Sequence, residues 1–378
     1  MVQNFPNGFP SVGVIGAGQL ARMMMVSAND LGINLVALAQ NENDSAALIG
    51  PYLLGDYKEL EDIKNFAKKF DLLTFEHELT PIPTLKSLEK SGVHFYPHPD
   101  SFKYSQDKIE MRNLMQKLSL PNPKYEIFDF QLPSNLPYPL IAKLPTGGYD
   151  GRGVWKIDQE SELLALKSKT NAKLLLEELI DFEYEASVMV ARSPHNQVAT
   201  WPPTKTIQKE GICVMTITPI PNISSELSQD LQLAAIEIAK AIDLVGVMAV
   251  ELFVKGNTFY INELALRPHN SGHWSIEGSV TSQFEQHLRA ILDLPLGDTS
   301  LTAPHTVMGN ILGAEKTDLY RPYLHLMARN PKMKFHQYGK EVKPGRKVGH
   351  VTLTGDNLMQ MILEVEHAVD YMNGKIDE

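Results

Sequence analysis

The sequence predicts a mixed fold, an α/β unit followed by α+β regions. Its first hundred residues alternate apolar strands with helical stretches, and a glycine-rich turn follows the first strand. Two adjacent apolar runs near residue 250, joined by Lys255-Gly256-Asn257-Thr258, read as a β-hairpin.

In order, 12–15 is a short apolar strand and 19–30 a helix. Strands follow at 35–39 and 72–75, with a helix over 60–69 between them, a βαβ layout that implies a parallel sheet. A helix over 106–118 is closed by Pro121 and Pro123. The prolines of 133–139 mark a linker into a strand over 139–143. Two strand-rich stretches, 139–157 and 174–218, flank a helical pattern near 160–169. A long helix over 224–244 precedes strands over 246–254 and 258–264. A helix over 282–292 stops before Pro295 and Gly297, and the remainder mixes short strands with a final helix over 356–373.

The chain has 378 residues, enough for more than one core. Acidic side chains outnumber basic ones by 45 to 35, and the formal charge of -10 argues against a broad nucleic-acid surface. Cys213 is the only cysteine, which excludes an intrachain disulfide and a cysteine-rich zinc site. No window reaches the ~18 consecutive apolar residues of a membrane span, and the first residues lack a signal-peptide core. The expectation is a soluble, cytoplasmic protein.

Gly16-Ala17-Gly18-Gln19-Leu20-Ala21 fits a strand-to-helix turn that can bring amides to an anion. A dinucleotide site would want an acidic residue at the end of the second strand; Ala39-Gln40-Asn41 stands there instead. A second loop, Thr146-Gly147-Gly148-Tyr149-Asp150-Gly151-Arg152-Gly153, is rich enough in glycine for its amides to close over phosphate oxygens. Lys143 precedes it as a point charge.

In a hairpin centred near Asn257, Glu251 and Glu263 stand opposite each other. Two carboxylates about 5 Å apart repel by roughly 3 kcal/mol at an effective dielectric of about 20, whereas a favourable cross-strand pair contributes only ~0.2–1 kcal/mol. A divalent cation reverses that sign; magnesium, held by carboxylates and phosphates, fits, with Asn262 a further oxygen. The polar turn after Glu263 includes Arg267, His269, Asn270, Ser271 and His273 and suits an anionic substrate, since Arg267 offers a planar fork. Lys340, Lys343, Arg346, Lys347 and His350 form a basic run, equally a solvated face or a phosphate-binding turn.

The carboxylate pair, the glycine loop and the upstream lysine together resemble the ATP-grasp superfamily. Within it, GYDGRG, NELALRPHNSGHW and GRKVGH are similar to the N5-carboxyaminoimidazole ribonucleotide synthetases, from Gly13 to the final helix. The resemblance implies an ATP-grasp fold with an N-terminal pre-ATP-grasp domain (1–105), an ATP-grasp domain (106–300, with a mobile lid at about 136–200) and a C-terminal domain (301–378). It implies that Lys108, Lys143, Gly148, Tyr149, Asp150, Gly151, Arg152, Gly153, Val154 and Glu185 surround ATP. Glu177, Glu178, Leu179 and Ile180 would meet the adenine largely through backbone. Glu251 and Glu263 would hold Mg2+ beside Asn262. Asp150, Arg267, His269, Asn270 and Ser271 would line the space where amine and bicarbonate meet. Lys340, Arg346 and Lys347 would bind the ribonucleotide phosphate, with Gly18, Gln19, Leu20 and Glu76 completing that pocket. Lys108 and Gln208 stand where the family often has arginine and histidine, and Glu178-Leu179 where it often has Gln-Gly. The implied reaction is ATP- and bicarbonate-dependent carboxylation of 5-aminoimidazole ribonucleotide by a homodimer. The rival readings are a formate-using ribonucleotide transformylase, a nicotinamide oxidoreductase and a nucleotide-binding regulator without turnover.

Overall fold

A computed structural model describes residues 8–147, 153–170, 172–314 and 318–376. The chain begins with β1 (Val12–Ile15), α1 (Gln19–Leu31), β2 (Leu35–Ala39), β3 (Tyr52–Leu54), α2 (Leu60–Ala67), β4 (Leu72–Phe75), α3 (Ile82–Lys90) and α4 (Pro99–Gln106). Its four strands form a parallel sheet in the order β3-β2-β1-β4. All residues of β1, β2 and β4 are buried, as their continuous apolar runs require of a sheet covered on both faces.

Two helices in this region were not expected. α3 has proline at its start and α4 opens on Pro99. Proline is a helix breaker only in the interior; in the first turn its missing N–H has no intrahelical partner to lose. The strand β3 also went unforeseen, being three residues long and half-exposed.

Next come α5 (Lys108–Lys117), β5 (Tyr125–Phe128), β6 (Leu140–Lys143), β7 (Val154–Ile157), α6 (Glu160–Ala165) and β8 (Leu174–Glu178). These strands make a small antiparallel sheet, β5-β8-β6-β7, over residues 125–178. It starts earlier than the lid range of 136–200, and 184–192 is not part of it.

That stretch is β9 (Tyr184–Arg192), which belongs to the largest sheet with β10 (Val198–Thr200), β11 (Thr204–Lys209) and β12 (Ile212–Thr218). The chain continues through α7 (Ser225–Ala241), β13 (Gly246–Lys255), β14 (Thr258–Ala265), α8 (Ser275–Gly278), α9 (Gln283–Ile291), β15 (His305–Leu312), α10 (Tyr320–Arg329), β16 (Lys334–Gln337), β17 (Lys347–Gly355) and α11 (Leu358–Met372). Among the described residues this sheet runs β14-β13-β9-β11-β12-β15-β17-β16, with β10 paired to β9.

Among the described residues, three of the hydrophobic cores set helices against the sheets. α7 sets Leu231, Ala235 and Ile238 against Val188, Val190, Met248 and Val250 of the large sheet. α1 is sandwiched between the parallel sheet and α9, with Met23 and Met24 near Phe284, Leu288 and Ile291. α11 covers β15 and β17 through Val365, Ala368 and Met372. Each buried Val, Leu, Ile, Phe or Met among these contributes about 1.5–3 kcal/mol before chain entropy is charged against it.

Candidate active site

The hairpin β13–β14 positions the central carboxylates. Its turn pairs Lys255 with Thr258 and Leu252 with Ile261, and that register alone would set Glu251 opposite Asn262. A β-bulge takes up Asn262 as the extra residue, so Glu251 pairs with Glu263 instead. Bulges re-aim side chains in this way beside active sites. On its other edge β13 pairs with β9, where Glu251 faces Ser187 and Phe253 faces Glu185. The strand period of two therefore puts Glu185, Ser187 and Glu251 on one face.

Cations meet this face from two directions. Asp107 caps α5, accepting from the amides of Ile109 (2.8 Å) and Glu110 (3.3 Å), which makes Lys108 the first helical residue. The Lys108 Nζ lies 2.8 Å from Glu263 Oε1. At the end of β6, Lys143 Nζ sits 2.7 Å from Glu177 Oε2 and donates to Asn262 Oδ1 at 3.2 Å.

Arg112, one helical turn after Lys108, is the residue the sequence reading missed. It is fully buried, with Nε donating to Glu177 Oε1 (2.6 Å), Nη1 to the Ile261 carbonyl (2.6 Å) and Nη2 to the Asn262 carbonyl (3.1 Å). One guanidinium thus braces the bulge and anchors β8 through Glu177. Its spacing of four from Lys108 on one helix face was the available signal.

Electrostatics divide the site. Burial alone would raise Glu177, but Lys143 and Arg112 outweigh it and hold the carboxyl down at about 2. Glu251 is pushed the other way, up to about 8, by burial first and then by Glu263 and Glu185. Burial also raises Glu185 and lowers Lys143. The site therefore keeps one carboxylate compensated and another in want of positive charge. Among the described residues no three His, Cys, Asp or Glu side chains gather as a metal cage. A pair of carboxylates suits a cation that completes its shell with phosphate and water, and the charge imbalance at Glu251 fits such an ion.

The turn after β14 carries the next group. Arg267 is held by Glu78, whose Oε2 accepts from Nε at 2.7 Å while Oε1 accepts the Leu266 amide at 3.1 Å. Glu78, two residues beyond Glu76, is a second residue missed; alternation past the end of β4 could have pointed to it. His269 lies 3.4 Å from Glu251 through Nε2 and 2.9 Å from Ser271 Oγ through Nδ1. Burial, then the positive charge of Arg267, lowers it well below the usual histidine range, so it is neutral. Two members of this group face inward. Asn270 forms a reciprocal amide pair with Asn310 (2.9 and 2.7 Å), and buried Ser271 bonds Ser187 Oγ at 2.8 Å. They shape the turn from behind.

A second space, a cleft of about 480 Å³, opens where the N-terminal sheet meets the C-terminal strands, and Gly18, Gln19, Tyr57, Glu76, Lys340 and Arg346 all line it. The start of α1 is not open to a ligand anion as expected. Glu76 already sits there, accepting from the amides of Gly18 (2.5 Å) and Ala21 (3.3 Å). Only glycine permits this: Gly16 has φ +101°, and a Cβ on Gly18 would lie 2.7 Å from Glu76 Oε2. Lys340 reaches across and donates to Gln19 Oε1. Leu20 differs from expectation, because it points into the core beside Met23 and Met24 and offers no side chain to the cleft. Lys347 begins β17, and its charge acts on His269 and Glu251.

Of the remaining predicted residues, Glu178 ends β8, its amide donating to the Lys124 carbonyl at 2.9 Å, so Leu179 and Ile180 lie beyond the last ladder pair. Val154 is exposed opposite Lys143, and Gln208 lies at a bulge in β11. Gly153 has φ +73°. Gly148, Tyr149, Asp150, Gly151 and Arg152 lie outside the described residues. His350, read as part of the basic run, is instead fully buried, and burial lowers it well below the usual histidine range, so it adds no charge.

Three family models match consecutive stretches: a ribonucleotide synthetase preATP-grasp domain over 9–106, an ATP-grasp domain over 113–284, and a phosphoribosylaminoimidazole carboxylase C-terminal domain over 306–363. The N5-carboxyaminoimidazole ribonucleotide synthase of Corynebacterium ammoniagenes is 40% identical over 383 residues, covering 97% of this chain and 92% of that protein. The Synechococcus elongatus synthase is 39% identical, covering 90% of this chain and 89% of its own. The Thermus thermophilus synthetase structure superposes with a TM-score of 0.87 at 31% identity, over 97% of this chain and 99% of that one. The Aspergillus clavatus synthase, solved with ADP and 5-aminoimidazole ribonucleotide, superposes with a TM-score of 0.88 at 30% identity, over 97% and 99% of the two chains. With domain models in matching order and relatives this similar along nearly its full length, the chain belongs to the N5-carboxyaminoimidazole ribonucleotide synthase family of ATP-grasp ligases and is an ATP-dependent enzyme.

Proposed function

We propose that this enzyme carboxylates the amine of 5-aminoimidazole ribonucleotide with bicarbonate, releasing ADP and phosphate, in purine biosynthesis. The observation that carries this reading is the bulged hairpin, which opposes Glu251 and Glu263 between Lys108 and the Arg267–His269 turn. The Aspergillus relative solved with both ADP and the ribonucleotide supports it.

In this reading ATP lies between the small sheet and the hairpin, its adenine beside Leu179 and Ile180. Glu251 and Glu263 would hold magnesium, which offsets charge on the phosphoryl oxygens when bound. Lys143, kept in place by Glu177, faces the same oxygens. A bicarbonate oxygen bonds to the γ-phosphorus as the bond to ADP breaks, giving carboxyphosphate. The substrate amine then bonds to the carboxyl carbon, the carbon–oxygen bond to phosphate breaks, and the amine loses a proton, for which Asp150 is the candidate acceptor. Arg267 and neutral His269 orient the carboxyl group. Lys340 and Arg346 hold the ribonucleotide phosphate in the cleft, and Lys347, which does not line it, adds positive charge towards His269 and Glu251. Closing the glycine loop would exclude water from the labile mixed anhydride.

The test is phosphate release from ATP and magnesium with ribonucleotide and bicarbonate present together, then omitted singly. Release that needs the ribonucleotide, with labelled bicarbonate entering an acid-labile product, is expected. Stimulation by formate and a different ribonucleotide would replace the substrate assignment with a transformylase.

A further inference from the structure

Two histidines of the sequence motifs, His273 and His350, touch neither cleft, yet they lie between the two turns that carry the cations. Both are fully buried, with ring centroids 5.1 Å apart. Each has one ring nitrogen committed. Gln283 accepts from the His269 amide and donates to the His269 carbonyl, both at 2.7 Å, which fixes the orientation of its amide group. The same NH2 therefore donates to His273 Nδ1 at 3.1 Å and leaves the ring proton on Nε2. Burial raises the Tyr338 hydroxyl far above its usual range, so it stays protonated, and it shares a hydrogen bond with His350 Nδ1 at 2.7 Å. Among the described residues neither Nε2 has a hydrogen-bond partner.

These contacts form one buried path. It runs from the His269 backbone through Gln283 to His273, across the ring contact to His350, and through Tyr338 to the segment bearing Lys340. His336 stacks on His350 at 4.4 Å and is tied to Glu277 at 2.7 Å. The Tyr338 carbonyl accepts from Ser45 Oγ at the rim of the cleft. Every ring in the path is enclosed, so a shift of one turn cannot be absorbed without moving the next.

We propose that His273 and His350 are positioning residues that fix the span between the Arg267–His269 turn and the Lys340–Lys347 phosphate turn. This rests on the function proposed above. A ribonucleotide gripped by its phosphate at one turn must present its amine at the other, and a misplacement of about 1 Å can cost on the order of 10²-fold in rate. Loosening the pair leaves the groups assigned to ATP untouched and shifts the phosphate turn relative to the Arg267–His269 turn. Its signature is therefore uncoupling: ATP is cleaved but carboxyl transfer to the amine fails.

The experiment compares carboxylated product formed per phosphate released in wild type, His350→Asn, His273→Asn and the double variant. Asparagine at 350 keeps an acceptor for Tyr338 while removing the ring, and Tyr338→Phe removes the hydrogen bond while keeping His350, so at least one probe spares the packing. The expected result is a drop of about five-fold or more in product per phosphate for each single variant, an unchanged KM for ATP, and a double variant no worse than the weaker single. Folded variants whose product per phosphate equals wild type, or whose losses multiply independently, overturn the proposal. A wild-type enzyme without ribonucleotide-dependent release overturns the functional reading and this proposal with it.

Discussion

Glu177 and Glu251 make an instructive pair. Both are carboxylates in one site, Glu177 buried and Glu251 partly so, and loss of solvent is the largest influence on each. Glu177 nevertheless falls to about 2 and Glu251 rises to about 8. The region around Glu177 supplies its own positive charges, Arg112 and Lys143, within 2.7 Å. The region around Glu251 supplies Glu263 and Glu185, and the charges of Lys347 and Arg267 count for less against them. The first is a finished piece of structure. The second is complete only when something positive arrives, and that is the mark of a binding site.

Breaking the compensated side has the largest expected effect on stability. Arg112→Met leaves Glu177 with Lys143 alone and removes the donors to the Ile261 and Asn262 carbonyls. A loss of about 3–5 kcal/mol is expected in urea unfolding, with no activity to compare unless the protein is kept cold and ligand-bound. A loss under about 1 kcal/mol would mean that the brace is dispensable.

Breaking the uncompensated side should separate activity from stability. Glu251→Gln is expected to lower kcat for ATP-dependent phosphate release by on the order of 10²–10³-fold. Its unfolding free energy should move by no more than about 1 kcal/mol, because a carboxyl pushed up to about 8 is already largely protonated at neutral pH and glutamine matches its shape. Retained activity would place the cation elsewhere.

Acid sharpens the same contrast. The Glu177 carboxyl lies below its ordinary 4.5, so its contribution to stability is present above that pH and disappears as pH falls towards about 2. Acid titration followed by fluorescence should show wild type losing stability across this window more steeply than Glu177→Gln. Identical slopes would remove the ion pair from the account.

Far from both regions, Ser224 caps α7 by accepting from the Leu227 amide at 3.1 Å. Ser224→Ala should cost about 1 kcal/mol and leave product per phosphate unchanged. This is the control that ties any uncoupling to the site.

Much of this was legible in the sequence because the decisive patterns are local. The KGNT turn put Glu251 and Glu263 across a hairpin, and the apolar runs located β1, β2, β4, β13 and β14. The bulge that completes the carboxylate pairing was not legible, since one extra residue in a ladder leaves no trace in hydrophobic alternation. Arg112 looked like an ordinary helix charge, because its partners are about 65 and 150 positions away in sequence. His350 sat among lysines and was read with them. Only the packing of β16 and β17 under α8 shows it to be neutral and enclosed.

The large sheet has a further consequence for how the chain can be divided. β15 hydrogen-bonds directly to β12, so the C-terminal strands continue the sheet that carries the site. A chain cut near residue 300 would bare the edge of β12, with Met215 and Ile217 stripped of their cover from α11 and β17. Such an edge recruits other copies of itself. The C-terminal segment therefore closes this edge, and a fragment lacking it is expected to be collected as insoluble protein.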